Sequence, residues 1–210
     1  MNQETNNKPL INVLIRTSGR PVYFNRLMES IKAQTYSNYR LIISADTDET
    51  AAYVKAAGYE PVRVEKILRT EKLTCPWNMY LNLLMDEVQE GWIIFMDDDD
   101  QYADRSAFQL ISAWLGNENR MLVWRMQFPD GRNVPADDYW RSTPFTRRQI
   151  GMPCFAFHSK WKKYVRFDGN KAGDFRFANE LLKFLTVFWL RATLIKLDNF
   201  GNKGNRIDLK

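Results

Sequence analysis

Residues 91–100 have the sequence Gly91-Trp92-Ile93-Ile94-Phe95-Met96-Asp97-Asp98-Asp99-Asp100, an apolar run followed by four aspartates. A short run of large apolar residues without alternation is typical of a strand that is buried on both faces. The aspartates then lie where this strand leaves the sheet, and in open α/β sheets ligands bind outside the carboxyl ends of the strands. The stretch therefore predicts a ligand site at one edge of a parallel sheet.

The four carboxylates divide into two pairs if the strand geometry continues through them. Successive side chains of a strand point to opposite faces, so Asp97 pairs with Asp99 and Asp98 pairs with Asp100. A pair of hard oxygen ligands suits Mg²⁺ or Mn²⁺, which retain waters and also bind phosphate oxygens. We interpret the stretch as a metal–diphosphate site with either register, and the alternative is a solvated acidic loop. An EF-hand loop is excluded because its central glycine and final glutamate are missing.

The composition is that of a folded chain. Of 210 residues, 45% are hydrophobic and 14% are aromatic, which excludes a disordered chain and allows one domain with a sizeable core. No run of eighteen apolar residues exists and residues 1–8 are polar, so we expect a cytoplasmic protein without a membrane span or signal peptide. Cys75 and Cys154 are expected to be thiols rather than a disulfide. The single histidine excludes a site with several histidine ligands.

The positive charge is concentrated in one segment. The net charge is +5, and residues 141–176 contain nine basic and two acidic residues, which gives this segment a charge of +7. A basic segment facing an acidic metal site suits a nucleotide diphosphate, an anionic acceptor or peripheral contact with the inner face of a membrane. The alternative is a solvated face. Nucleic acid is not an expected partner.

The first hundred residues alternate predicted strands with predicted helices. Strands are predicted at 11–17, 39–45, 62–67 and 91–96, and helices at 21–34, from about 49 to 57, and at 76–88. Such alternation predicts a parallel sheet with right-handed crossovers. The second of these strands also ends in acids, Asp46 and Asp48, so two strands deliver carboxylates to the same edge.

The second half is less regular. We predict a helix at 106–115, a strand at 121–128, a loop to residue 148, a strand at 150–158 and a helix at 175–184. Residues 187–198 form a last strand or continue the helix. Residues 1–9 and 201–210 are expected to be flexible ends of one domain, with a nucleotide-binding half at 10–104 and an acceptor-binding half at 105–200.

The order of these motifs over residues 10 to about 185 resembles glycosyl transferase family 2. The first strand, its turn and Gln34-Thr35-Tyr36 resemble the family's first strand, nucleotide loop and following turn. Asn82, fifteen residues before Asp97, resembles the asparagine of the helix that precedes the family's aspartate motif, and residues 95–100 resemble that DxD motif. The implied fold class is α/β of the GT-A (Rossmann-like) type, with a mostly parallel central sheet flanked by helices.

The resemblance also implies roles for individual residues. Thr17 and Asp46 match positions of the nucleoside pocket, Asp97 and Asp99 match the metal pair, and Asp98 would contact the ribose. Relatives often carry an arginine where this chain has Pro76, and the nearest substitute is Lys72. Asp174, which follows a glycine where the family usually has an acid, matches the late catalytic base. Its alternative role is a helix N-cap.

The implied activity is that of a metal-dependent inverting glycosyltransferase using Mn²⁺ or Mg²⁺. It would move a sugar from a nucleotide-diphosphate donor, expected to be a UDP-sugar, to a hydroxyl of a glycan or glycoconjugate. One alternative is a sugar-phosphate nucleotidyltransferase, although the single glycine of residues 18–21 does not make a glycine-rich phosphate loop. Another is a non-catalytic module that binds nucleotide sugars or polyanions.

Several further side chains have a functional and a structural interpretation. His158 is either a third metal ligand or diphosphate contact, or a structural residue at the end of a strand. Three tryptophans either stack on sugar rings or belong to the core, and two arginines either clamp a phosphate or lie in a solvated loop. These residues are Trp77, Trp140, Trp161, Arg147 and Arg148.

Overall fold

The computed structural model describes residues 8–198. The predicted flexible tail at 201–210 and residues 1–7 of the predicted flexible N-terminus lie outside the described residues.

The described chain contains nine strands, five α-helices and four short 3-10 helices. The strands are β1 (Ile11–Thr17), β2 (Tyr39–Ala45), β3 (Val62–Arg63), β4 (Trp92–Asp97), β5 (Asp100–Tyr102), β6 (Arg120–Gln127), β7 (Asn133–Val134), β8 (Phe155–His158) and β9 (Thr186–Leu197). The α-helices are α1 (Pro21–Lys32), α2 (Asp48–Ala56), α3 (Tyr80–Asp86), α4 (Ala107–Ser112) and α5 (Gly173–Leu181). The 3-10 helices are Pro76–Met79, Asp137–Tyr139, Met152–Cys154 and Ser159–Trp161.

All nine strands form one mixed sheet. The order is β3-β2-β1-β4-β8-β6-β9-β5, with β7 paired to β6. The pairs β1–β2, β1–β4, β2–β3 and β6–β9 are parallel, whereas β4–β8, β6–β8, β6–β7 and β5–β9 are antiparallel. The predicted α/β class with a central sheet flanked by helices is confirmed, and the predicted parallel part is β1 to β4.

The core forms around β1 and β4, two neighbouring strands in the interior of the sheet. Residues 92–96 are buried, as expected for a continuous apolar run covered on both faces. Helix α1 begins at Pro21, which suits the first turn of a helix, and it buries Phe24, Leu27, Met28 and Ile31. These four residues, spaced three and four apart, form one apolar stripe along the helix.

Two elements of the first half differ from the prediction. Strand β3 has two residues instead of the predicted six, because its partner β2 ends at Ala45, opposite Arg63. Beyond that point only Val64 donates to the Ala45 carbonyl, at 3.0 Å. The helix predicted at 76–88 begins as the 3-10 turn Pro76–Met79, and its α-helical part ends at Asp86.

The second half departs further from the prediction. The prediction missed β5, which pairs antiparallel with the end of β9. The last predicted segment is a strand and not a helix. The strand predicted at 150–158 begins only at Phe155, because a 3-10 turn containing Pro153 precedes it.

Two expectations from the composition can be compared with the structure. Cys75 and Cys154 are both free thiols, and Cys154 is buried. Among residues 8–198, none of the helices combines the length and apolar character needed to cross a membrane.

Candidate active site

The carboxyl ends of β1, β2 and β4 lie side by side at one edge of the sheet. Because these strands are parallel and in register, Arg16 of β1 lies opposite Asp97 of β4, and Thr17 lies opposite Ala45 of β2. Asp46 directly follows β2 at the same edge. The edge that the sequence predicted as a ligand site therefore gathers side chains from three strands.

The four aspartates do not follow one continuous strand. Strand β4 ends at Asp97, the chain reverses through a turn at Asp98 and Asp99, and β5 begins at Asp100. The prediction that strand alternation continues through all four aspartates and divides them into two pairs is therefore wrong. Instead, carboxylate oxygens of Asp97, Asp99 and Asp100 all lie within 4.8 Å of one another, which fits a divalent cation with hard oxygen ligands.

Two arginines that were not identified from the sequence contact these acids. Arg16 donates from Nε and Nη2 to both oxygens of Asp97, the second contact measuring 3.1 Å. Arg20 bonds to both oxygens of Asp98 and donates from Nη1 to Asp99 at 2.8 Å. The sequence did contain one indication of Arg16, because a charged residue stands near the end of a strand predicted to be buried. The structure buries the other six residues of this strand.

Burial determines the electrostatics of this cluster. It raises the pKa of Asp98 to about 7, although the guanidinium of Arg20 acts in the opposite direction. Burial also raises the pKa of Asp99 and of Asp100, and the neighbouring carboxylates raise both further. Burial acts to lower the pKa of Arg16, but the charge of Asp97 and the hydrogen bond to it, together with the charge of Asp98, outweigh burial. This pKa is therefore raised and the guanidinium stays charged.

Thr17 and Asp46, the residues predicted for the nucleoside pocket, have different surroundings. Thr17 Oγ1 donates to Asp98 Oδ2 at 2.6 Å and lies 2.6 Å from the Tyr53 hydroxyl. Asp46 Oδ2 accepts from the Ser18 hydroxyl at 3.0 Å, whereas Asp46 Oδ1 is buried with no hydrogen-bond partner among the described residues. A buried acceptor without a partner is uncommon in proteins, and a ligand donor such as a base N–H would satisfy it.

Lys72 is exposed in the segment between β3 and the turn at Pro76. Within residues 8–198, no hydrogen bond or ion pair joins it to the aspartates. The structure therefore gives the Lys72 prediction no geometric support.

Asp174 lies in the first turn of α5, and it is not the N-cap. The N-cap position is Ala172, in the left-handed conformation with φ of 59°, so the predicted alternative role of Asp174 is wrong. Asp174 Oδ1 accepts from the backbone N–H of Phe175 at 2.8 Å. Burial raises the pKa of Asp174, Arg16 lowers it and Asp97 raises it, so the carboxylate is within electrostatic range of both.

Asn78 links Arg16 of β1 to the segment immediately before α5. Its side-chain oxygen accepts from Arg16 Nη1 at 2.6 Å, and its amide nitrogen donates to the carbonyl of Asn170 at 2.9 Å. Asn82, one helical turn later, donates to the Phe167 carbonyl and accepts from the Phe167 N–H, both at 2.9 Å. These two asparagines hold residues 167–170 against the sheet edge, immediately before α5.

The remaining candidates have structural surroundings or lie in solvent. His158 pairs with Trp92 at the beginning of β4, the opposite end of that strand from Asp97, so it is not a metal ligand. Trp161 donates from its ring to the Glu118 carbonyl at 2.7 Å, and Arg125 covers the ring of Trp140 at 4.6 Å. Trp77 is half-buried in the turn before α3, and Arg147 and Arg148 are exposed.

A cavity of about 430 Å³ lies against α5, and its lining includes Gly173 and Phe175 but not Asp174. Its lining combines aromatic rings with the ion pair between Arg176 and Asp168, whose closest oxygen lies 2.6 Å from the guanidinium. The lining residues are Pro144, Phe145, Arg166, Asp168, Gly173, Phe175, Arg176, Phe177, Asn179 and Glu180.

Comparison with known proteins gives a family and a set of similar folds. The model of the family described as "Glycosyl transferase family 2" matches residues 13–182. A search of curated proteins returns no significant match.

Among solved structures, S. aureus TarS 1-349 in complex with UDP-GlcNAc superposes with a TM-score of 0.71 at 16% identity, over 92% of this chain and 60% of that one. The mannosyltransferase PcManGT from Pyrobaculum calidifontis, in complex with GDP-Man and Mn²⁺, gives a TM-score of 0.68 at 16% identity, over 94% and 59%. At this identity the likeness shows a shared fold, and this chain spans about three fifths of the length of either neighbour.

Proposed function

Because this chain belongs to glycosyl transferase family 2, we propose that it transfers a sugar from a nucleotide-diphosphate donor to a hydroxyl of a glycan or glycoconjugate. The observation that carries the proposal is the convergence of Asp97, Asp99 and Asp100, with ligand oxygens within 4.8 Å, at the carboxyl end of the parallel strands. In α/β sheets this edge is where nucleotide ligands bind.

The three converging carboxylates would hold the divalent cation, Mn²⁺ or Mg²⁺. They offer only oxygen ligands, which these hard cations prefer. When bound, such a cation supplies Lewis-acid stabilisation of the negative charge on a leaving diphosphate. The neighbour PcManGT was solved with Mn²⁺, which supports the choice of ion.

The nucleoside would lie over the end of β2, where Asp46 has a buried oxygen without a hydrogen-bond partner among the described residues. A UDP-sugar is our proposed donor, since the N3–H of uracil is a donor that Asp46 Oδ1 can accept. Thr17 would border the pocket beside it. We assign Asp98 to holding Thr17 and Arg20 in place rather than to the ribose, because its side chain is fully buried.

Asp174 is the proposed base. The ionised carboxylate removes the proton from an acceptor hydroxyl while that oxygen forms a bond to the anomeric carbon of the sugar. The bond from this carbon to the diphosphate breaks at the same time, and the nucleoside diphosphate leaves with the electron pair. One displacement of this kind inverts the configuration. The cavity lined by Gly173 and Phe175, the chain neighbours of Asp174, is the proposed acceptor site.

The test is a panel of UDP- and GDP-sugars, assayed for nucleoside diphosphate release with a mixture of glycan acceptors, with Mn²⁺ or with a chelator. We expect release with at least one sugar nucleotide, only in the presence of metal and acceptor. Asp99→Asn should abolish the metal-dependent binding of the donor. Donor binding without turnover in every case would instead indicate a non-catalytic binding module, and the absence of any nucleotide binding would exclude the transferase.

A further inference from the structure

We propose that Arg16 binds the donor diphosphate. Its side chain stays bonded to Asp97 until the metal and the donor bind together. This inference rests on the proposed function, because it takes the ligand to be a nucleotide diphosphate. It concerns the order and coupling of binding, which family membership does not determine.

The position of Arg16 makes it available to a ligand at this edge. It is the last but one residue of β1, opposite Asp97, and its side chain is 16% exposed. Three of its five N–H groups have partners, two at Asp97 and one at Asn78. The second N–H of Nη1 and that of Nη2 have no partner in the described part of the chain. A planar guanidinium with free N–H groups matches the oxygens of a phosphate.

The same contacts oppose the binding of a metal on its own. Arg16 bonds to both oxygens of Asp97, one of the three proposed metal ligands. A divalent cation on this carboxylate would share it with a guanidinium, and two cations on one carboxylate repel each other. A diphosphate that binds at the same time removes this conflict, because it supplies oxygens to the metal and to the guanidinium.

Arg20 differs from Arg16 in this respect. It bonds to Asp98, which is fully buried, and to Asp99. Release of Arg20 would leave a buried carboxylate without its counterion, which is costly. Asp97, by contrast, is 22% exposed and would gain the metal as its new partner. We therefore assign Arg16, and not Arg20, to the exchange.

The experiment measures Mn²⁺ binding by electron paramagnetic resonance and nucleotide binding by calorimetry, in the wild type and in Arg16→Met. In the wild type we expect Mn²⁺ to bind weakly alone and on the order of tenfold more tightly with UDP, with GDP as a parallel arm. Arg16→Met should bind Mn²⁺ alone about tenfold more tightly and UDP with Mn²⁺ about tenfold more weakly. The affinity for uridine should not change, because it has no phosphate.

The controls separate this role from a structural one. Arg132→Met removes an arginine whose ion pair with Asp130 lies in an exposed turn, and it should leave every affinity unchanged. Arg16→Lys keeps the charge without the planar fork and should retain part of the coupling. If Arg16→Met weakens Mn²⁺ and UDP binding alike, or fails to fold while the wild type shows no coupling, Arg16 is a structural residue and the inference is wrong.

Failure of the proposed function has a different signature. If neither UDP nor GDP binds the wild type at any Mn²⁺ concentration, the donor site is wrong and the inference fails with it. If metal and nucleotide bind the wild type but Arg16→Met changes neither affinity, only the role of Arg16 is wrong.

Discussion

Gly173 packs so closely against Asn78 that a Cβ at position 173 would lie 2.6 Å from the Asn78 side-chain nitrogen. That nitrogen donates to the Asn170 carbonyl, and the oxygen of the same side chain accepts from Arg16. The glycine before Asp174 therefore allows α5 to approach the group that links it to β1. This close approach explains why the chain has a glycine where the resemblance expects an acid.

Gly173→Ala should destabilise the protein by about 1–3 kcal/mol, the usual cost of overpacking, although alanine favours a helix. The added methyl group must displace Asn78, so the proposed transferase activity should fall as well. Urea unfolding measures the first effect. Gly116→Ala is the matched control, because a Cβ at Gly116 would have no neighbour within 4 Å. Equal stability of Gly173→Ala and the wild type would contradict the close contact.

Asp98 should make the metal-free protein less stable as the pH rises from about 4 to about 7. Burial raises its pKa from 3.8 to about 7 in the folded protein, so the folded state binds this proton more tightly than the unfolded state does. The contribution is full at low pH and is lost as the pH rises to 7, with a total on the order of 1–4 kcal/mol.

The measurement compares the free energies of unfolding of the wild type and Asp98→Asn, in chelator, from pH 4.5 to pH 8. The difference, wild type minus variant, should decrease with pH up to about 7 and be constant above it. The subtraction removes the contribution of distant acids, such as Asp130, which titrate in both proteins. A difference that increases with pH would show that Arg20 dominates over burial.

Asp46→Asn should weaken UDP binding by about 10- to 100-fold, the cost of removing a charged hydrogen-bond acceptor. An amide can still contact Ser18 through its oxygen, but its NH₂ group cannot accept from a base N–H. Stability should change little, because Asp46 Oδ1 has no partner in the described protein. Calorimetry with UDP gives the affinity, and Asp48→Asn, at an exposed ion pair, is the control. An unchanged affinity for UDP would show that the uracil base binds in another pocket.

Asp174→Asn should retain donor and metal binding and lose transfer by about 10²- to 10⁴-fold, the range of general base catalysis. The amide oxygen can still accept from the Phe175 N–H, so the helix should keep its first turn. In the wild type, burial raises the pKa of this carboxyl, so the rate of transfer should fall on the acidic side at a higher pH than for an exposed aspartate.

Initial rates of the wild type between pH 4.5 and pH 8, with donor affinity measured separately, test this assignment. Asp130→Asn alters a carboxylate in an exposed turn and serves as the control. Transfer by Asp174→Asn at the wild-type rate would show that another residue is the catalytic base.

Prediction from the sequence succeeded where a pattern was local. β1 and β2 have the predicted bounds, because each is an apolar run closed by polar residues. Prediction failed where a partner lies far along the chain. β5 has three residues and is a strand because Asp100 pairs with Leu197. β3 is short because β2 ends beside it. The sequence of β5 does not reveal its pairing with β9, and the sequence of β3 does not reveal where β2 ends.

The sequence by itself determined the parallel part of the sheet, the amphipathic first helix and the buried strand that ends in Asp97. These depend on the spacing of apolar residues, which a chain of this length displays directly. Only the tertiary structure decided which carboxylates converge and which arginine side chains they contact. The chain reverses after Asp97, and Arg16 bonds to partners 62 and 81 residues away. Contacts over such distances depend on packing that no local pattern encodes.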